Sequence, residues 1–418
     1  MHNPTTEAEL AEAIATAKGL LAICGGGTRP IGRPVTGDTL STAGLSGITL
    51  YEPGALTLVA KAGTPMAEIE AALDAENQML AFEPMDHRTL LGTTGTPTIG
   101  GVVATNASGP RRVAASGACR DALLGVRYVD GQGAIVKNGG RVMKNVTGYD
   151  LTKLMAGSYG TLGVLSEVSL KVLPKPETSQ TLVFDGLALS DAVAAMTKAL
   201  NSPYEVSGAA LHQLDAGNTA LAHLGQKTCL RVEGFEKSVT YRIEKLRTLL
   251  ANFGDAQVLD HDASTALWAD IKSVSVFRNH DAVTQISITP SAAADIADCL
   301  WQTLGADLVM DWGGGRMWFG MTTSHAEAAA DQFGADDPYT ADKAYGLIHG
   351  VLQHMLSPEI MAHGAPAGSG HATLIKAPDA TRTNVSVFQP QSDAVSTLTK
   401  ALRAKFDPRG ILNPGLMN

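Results

Sequence analysis

Three glycine-bearing stretches hold the residues whose types and spacing suit chemistry. Gly25-Gly26-Gly27-Thr28 directly follows the apolar run Leu20 to Cys24. A glycine-rich turn after a strand exposes successive backbone N–H groups, a nest suited to a diphosphate. The pattern is not G-x-G-x-x-G opening a helix, so the Rossmann fingerprint is not met. The second stretch is Thr96-Pro97-Thr98-Ile99-Gly100-Gly101, with Asn106, Ser108 and Gly109 forming a small polar turn beyond it. The third is Gly160-Thr161-Leu162-Gly163-Val164. Glycines this dense beside strands let a backbone approach a flat or charged ligand closely. Each stretch taken alone is also what a tight packing turn looks like.

A fourth segment, His363-Gly364-Ala365-Pro366-Ala367-Gly368-Ser369-Gly370-His371, invites a metal reading. No Asp or Glu stands between its two histidines, and no further ligands can be identified. The expectation is a loop packed on a sheet and no metal. The cysteines Cys24, Cys119, Cys229 and Cys299 form no C-x-x-C pair. Neither an iron–sulfur cluster nor a structural zinc site is therefore expected in this chain.

The elements that must position these loops follow from periodicity. Thr6 to Lys18 reads as a helix with Thr6 as N-cap and Glu9 completing a capping box. Leu20 to Cys24 is a short strand. Thr39 to Ile48 reads as strand and turn, and Pro65 opens a helix over Met66 to Glu76. Leu124 to Val129 and Ala134 to Val136 form a hairpin across Gly131 to Gly133. Val142 to Val146 is a strand. Tyr149-Asp150 enters a helix with an apolar face of Leu151, Leu154 and Met155, and Ser166 to Val172 is a strand that Pro174 ends. Beyond Pro176 the order strand, helix, strand, strand, helix, strand appears over Thr181 to Leu259. It recurs loosely from Val283 through a helix at His325 to Phe333. That pattern predicts two ferredoxin-like halves around one antiparallel sheet. Ser396 to Lys405 is a last helix.

With 418 residues and 44% hydrophobic content, the chain can bury a large core in two or three domains. A net charge of -9 argues against nucleic acid as a partner. No apolar run reaches the roughly 18–20 residues of a membrane span. The N-terminus lacks a basic region followed by an apolar one, so no signal peptide is expected. The default location is cytoplasmic, with attachment to the inner membrane face only peripheral and through a partner.

Taken together, four segments carry a resemblance: TIGGVVATNASGPRR, RDALLGVRYVDGQG, KNVTGYDLTKLMAGSYGTLGVLSEVSLKVLP and KFDPRGILNPG. With GGGT near the start, they resemble the FAD-binding domain of the vanillyl-alcohol-oxidase (PCMH) type, and most closely the E subunits of bacterial glycolate oxidases. The resemblance implies an α+β protein: a two-subdomain FAD-binding domain over 1–176, a ferredoxin-like cap over 177–395, and a C-terminal segment over 396–418 returning to the FAD domain. It implies non-covalent FAD held by Gly25, Gly26, Gly27, Thr28, Thr98, Ile99, Gly100, Gly101, Asn106, Ser108, Gly109, Gly163, Val164 and Asn413. In the family an arginine or another residue is common where this chain has Cys24. The implied function is oxidation of glycolate, a small 2-hydroxy acid, to glyoxylate. A second FAD-binding subunit and an iron–sulfur subunit would complete the complex. A non-catalytic scaffold subunit and a stand-alone flavin oxidase are the alternatives.

The chemistry can be bounded physically. Such a site needs a cation for the substrate carboxylate, preferably an arginine, and a base for the hydroxyl proton. Arg316 and His371 are the candidates, with Arg278, Arg382 and His280 behind them. No compact base–arginine motif is visible among them.

Overall fold

The first helix shows how local sequence sets the fold. Thr6 accepts at its hydroxyl from the Glu9 N–H at 3.2 Å, which starts α1 (Glu7–Thr16). The Glu9 carboxylate reaches one residue further back than a capping box requires, accepting from the Thr5 N–H at 2.8 Å. At the other end Arg409 donates to the carbonyls of Ile14, Ala15 and Ala17. A cation from the chain's last residues thus satisfies carbonyls that the helix leaves open.

The computed structural model describes residues 1–113, 117–141, 148–213, 226–304, 307–325, 341–356 and 370–417. The strand expected at Val142 to Val146, most of the helix expected at His325 to Phe333, and residues 363–369 of the expected loop lie outside these. The chain divides into two compact units, Met1–Gly109 with Ser116–Lys175 and Gln391–Asn418, and Pro110–Ala115 with Pro176–Pro390.

The first unit holds a parallel pair, β1 (Leu21–Cys24) on β2 (Asp38–Ser41). It also holds a five-stranded antiparallel sheet. The strands of that sheet are β3 (Ile48–Glu52), β4 (Thr57–Lys61), β6 (Leu123–Val129), β7 (Ile135–Gly139) and β8 (Val164–Lys171), in the order β3-β4-β8-β6-β7. A small ladder, β5 (Gln78–Met79) on β9 (Leu173–Pro174), closes one corner. Helices α2 (Met66–Ala75), α3 (Arg88–Leu91), α4 (Ile99–Ala104), α5 (Cys119–Ala122) and α6 (Leu151–Met155) complete it. Asp150 caps α6 by accepting from the Lys153 N–H at 3.2 Å. Leu58, Ala60, Val168, Leu170, Ile69 and Val103 meet in the core. Full burial of each large aliphatic side chain is worth about 1.5–3 kcal/mol.

The second unit is one antiparallel sheet of eight strands. β10 (Thr178–Asp185), α7 (Leu189–Leu200), β11 (Val206–Gln213), β12 (Lys227–Gly234), α8 (Glu236–Leu249) and β13 (Gln257–Leu259) form the first half. Helix α9 (His261–Ser273) follows. The second half is β14 (Ala282–Ser287), α10 (Ala293–Leu304), β15 (Asp307–Asp311), β16 (Arg316–Met321), α11 (Ala341–Met355) and β17 (His371–Lys376). The sheet order is β13-β10-β12-β11-β15-β16-β14-β17. Each half is therefore a ferredoxin-like β-α-β-β-α-β unit, joined where β11 pairs β15; the recurring pattern predicts the two halves but not α11 or β17, which complete the second. Alternation sets the two faces. Leu182, Leu211 and Leu230 enter the main core with α7 and α8, while Val183, Ala210 and Cys229 meet Trp268 of α9 on the other face. The sequence reading did not find α9, although Asp260 caps it by accepting from the Ala263 N–H at 3.0 Å.

Helix α12 (Asp379–Asn384) precedes the last helix, α13 (Asp393–Phe406), which belongs to the first unit. Its half-buried positions are Ser396, Thr399, Arg403 and Phe406. Its apolar residues Val395, Leu398 and Leu402 are instead 47%, 66% and 42% exposed. The helix turns its hydrophobic stripe outward, the reverse of the usual arrangement.

Candidate functional site

Strand β1 ends at Cys24, and the chain then runs through the first glycine loop. A β-carbon on Gly26 would lie 1.6 Å from the carbonyl oxygen of Thr96, and one on Gly95 would lie 1.8 Å from the Gly26 oxygen. Two loops some seventy residues apart in sequence are thus in backbone contact, which only residues without side chains permit. Gly95 is a residue of this contact that the sequence reading did not single out. Gly27 adopts φ +72°, with nothing within 4 Å of its absent β-carbon. Thr28 is buried, and its carbonyl accepts from the Thr93 hydroxyl at 3.2 Å.

The second stretch is a short helix rather than a turn. Thr98 caps α4, its hydroxyl accepting weakly from the Gly101 N–H at 3.4 Å. Ile99 is core, and its N–H donates to Thr64 O at 3.0 Å. The Gly100 N–H donates to Ala62 O at 2.7 Å, and a β-carbon there would meet Ala62 at 2.7 Å. Gly101 differs: its nearest neighbours would be the Thr98 hydroxyl at 3.4 Å and Arg29 Nη1 at 3.7 Å.

Asn106 and Ser108 hold the start of α5. Asn106 Oδ1 accepts from the Arg120 N–H at 2.9 Å, and Ser108 Oγ from the Cys119 N–H at 2.9 Å. Gly109 packs on Glu83, its N–H donating to Phe82 O at 2.8 Å. Gly163 faces the Tyr128 ring, and Val164 begins β8 opposite Val129. Asn413 joins the tail to this region. Its Oδ1 accepts from the Ile23 N–H at 2.7 Å, and its Nδ2 donates to Tyr159 O at 2.8 Å. Asn413 and Tyr159 both carry positive φ, 44° and 53°. Non-glycine residues there are costly and persist where surroundings fix them, commonly near functional sites.

Arg29 is the charged side chain of this constellation, and the sequence reading passed over it. Its Nε donates to His87 Nδ1 at 3.1 Å and its Nη2 to Met85 O at 2.6 Å. Burial pulls its pKa down to about 10, partly opposed by Asp86, Cys119 and Tyr159. Burial likewise raises the Tyr159 phenol, with the Arg29 charge pulling the other way. Its contacts span 58 residues of sequence, so no local motif announces it.

The residues picked for substrate chemistry lie in the second unit. Arg316 is 1% exposed, opposite Asp311 on the β15–β16 hairpin and ion-paired to it. It stacks 4.0 Å over the Trp312 ring. His280 is buried against Asp307, Nε2 to Oδ2 at 2.7 Å. Arg382 pairs with Asp379, Arg278 is exposed, and His371 is exposed at the first position of β17. Arg316 and His280 are thus tied to acidic partners, and the register places Arg316 and His371 on either side of Ser287. Among the described residues, no group of three or more His, Cys, Asp or Glu converges as a metal site.

The chain is 32% identical over 389 residues to glycolate oxidase subunit GlcE of Escherichia coli, covering 93% of this chain and 89% of that one. The chain belongs to the GlcE family. A family model for an FAD binding domain matches residues 2–139, so this GlcE-family chain is an FAD-linked oxidoreductase-type protein with FAD as its cofactor. It is also 27% identical over 352 residues to glycolate oxidase subunit GlcD of Bacillus subtilis, covering 77% of this chain and 68% of that one. A 4-ethylphenol oxidase from Gulosibacter chungangensis shares the fold, with TM-score 0.70 and 13% identity over 99% of this chain and 88% of its own.

The residues present fit FAD. Gly27 leaves open space beside a loop of backbone N–H groups, Gly101 offers an uncrowded surface, and Arg29 places a cation against it. Close backbone, nest geometry and positive charge are the donor chemistry a diphosphate takes.

Proposed function

We propose that this chain is the FAD-bearing subunit of a glycolate-oxidising complex, with glycolate leaving as glyoxylate and electrons passing to an iron–sulfur partner. Similarity to GlcE along nearly the whole chain carries this reading. Bound FAD supplies a two-electron acceptor that takes hydride at its N5. The chain's own part is to hold that cofactor between the two glycine loops, with Asn413 fixing the end of β1 beside them. Electrons leaving singly need a cluster, and the four free cysteines sit on separate elements. A further subunit therefore supplies the cluster.

A second reading is favoured by one observation: Arg316 is ion-paired to Asp311, and His280 is hydrogen-bonded to Asp307. A paired, buried arginine is a poor receptor for a substrate carboxylate, whose desolvation would then go uncompensated. On this reading the main oxidation site is on the second FAD-binding subunit, and this chain assembles the complex. Dye reduction with glycolate, on the lone chain and on the chain co-purified with its partners, tests the proposal. Turnover only in the complex supports it; equal turnover by the lone chain overturns it.

A further inference from the structure

The Arg29 side chain is held at two of its three nitrogens. His87 Nδ1 takes Nε and Met85 O takes Nη2, and neither partner carries a negative charge in that arrangement. Nη1 donates no hydrogen bond to any described residue. It lies 3.7 Å from the β-carbon position of Gly101, the glycine of the second stretch that protein backbone does not crowd. The acid acting on Arg29, Asp86, is itself engaged by Arg88 through Nε at 2.9 Å and Nη2 at 2.7 Å. A desolvated guanidinium with no bonded carboxylate is costly unless an anion completes it. The fixed nitrogens leave one donor aimed by the other two.

We infer that Arg29 is the side-chain cation for the diphosphate of the cofactor, positioned by His87 and Met85. The inference rests on the flavin-binding reading and deepens it. Nη1 donates a charge-assisted hydrogen bond to a phosphate oxygen beside Gly101, while the nest at Gly25 to Gly27 supplies neutral N–H donors. Cys24 brings no charge to the loop's first position, and Arg29 brings it from just past the loop's other end. The chemical class recognised is a nucleoside diphosphate, so ADP is a sufficient probe.

The test uses the full-length chain freed of flavin and titrated calorimetrically with FAD, ADP and riboflavin. Arg29→Met is expected to weaken both FAD and ADP about ten- to a hundredfold and to leave riboflavin unchanged. Arg29→Lys keeps the charge but loses the fork, and is expected to fall between. It also serves if the Met variant does not fold, which circular dichroism reports. Wild-type ADP affinity in both folded variants overturns the inference. So does a loss confined to riboflavin, which would place the charge on the flavin ring. Failure of the wild-type chain to bind FAD at all would instead strike the flavin reading itself.

Discussion

The absent β-carbon of Gly26 points at the carbonyl oxygen of Thr96, at 1.6 Å. The two loops framing the proposed cofactor site are therefore locked to each other before any ligand arrives. Gly26→Ala is expected to force them apart and cost both stability and flavin. Gly101→Val is expected to act differently, because only the Thr98 hydroxyl and Arg29 lie near its β-carbon. It should abolish flavin binding with the melting temperature of the flavin-free chain nearly unchanged. Flavin content and thermal melting of the two variants separate these outcomes; normal flavin content in Gly101→Val contradicts the placement of the site.

The charge of Arg316 is predicted to stabilise the protein rather than to serve substrate. Removing one partner of a buried ion pair strands the other, so Arg316→Met should cost about 3–5 kcal/mol. Denaturant unfolding measures this. A variant as stable as the parent but unable to support glycolate turnover in the complex would return Arg316 to the list of catalytic candidates.

Much of the fold is legible in the sequence. Alternation over Leu182-Val183-Phe184 and Ala209-Ala210-Leu211 gives strands with two apolar faces, and the doubled order of elements gives the two ferredoxin-like halves. Helix α4 is hidden because Gly100 and Gly101 look like a turn. Gly100 is glycine because Ala62 crowds its β-carbon position, whereas Gly101 leaves its surface open. Arg29 is hidden because what makes it functional is supplied by Met85 and His87. The pairing of Arg316 with Asp311 needs the hairpin register, which follows from a turn at Trp312 that the spacing alone does not specify.

Acid sensitivity should trace to Glu7. Burial alone would raise its pKa, but hydrogen bonds from Arg127 and Ser166, with the Arg127 charge, outweigh that and hold it below 4.5. A depressed carboxylate stabilises the fold above its unfolded pKa and loses that contribution as pH falls through the lower folded value. Arg127→Met is expected to cost about 0.5–1 kcal/mol at neutral pH, given that both side chains are partly exposed. The difference should shrink as pH drops below 4.5. Denaturation midpoints across pH check this, and a gap that stays constant in acid contradicts it.

The stripe of α13 is an exposed apolar surface on the first unit. Val395, Leu398 and Leu402 are exposed at helical spacing, and a partner subunit is expected to cover them. Leu398→Asp should leave flavin content and melting unchanged and reduce co-purification of the second FAD-binding subunit by tenfold or more, a factor that corresponds to about 1.4 kcal/mol. Undiminished co-purification would remove α13 from the interface.

The most direct measurement follows this chain's flavin itself. The cofactor is expected at one per chain, released whole by acid precipitation. Glycolate is then added anaerobically to the lone chain and to the assembled complex, and the flavin absorbance is recorded. The account predicts that the lone chain keeps its flavin oxidised while the complex bleaches and, on adding an electron acceptor, recovers. Rapid, complete bleaching of the lone chain's flavin by glycolate would contradict it and make this chain a self-sufficient oxidase.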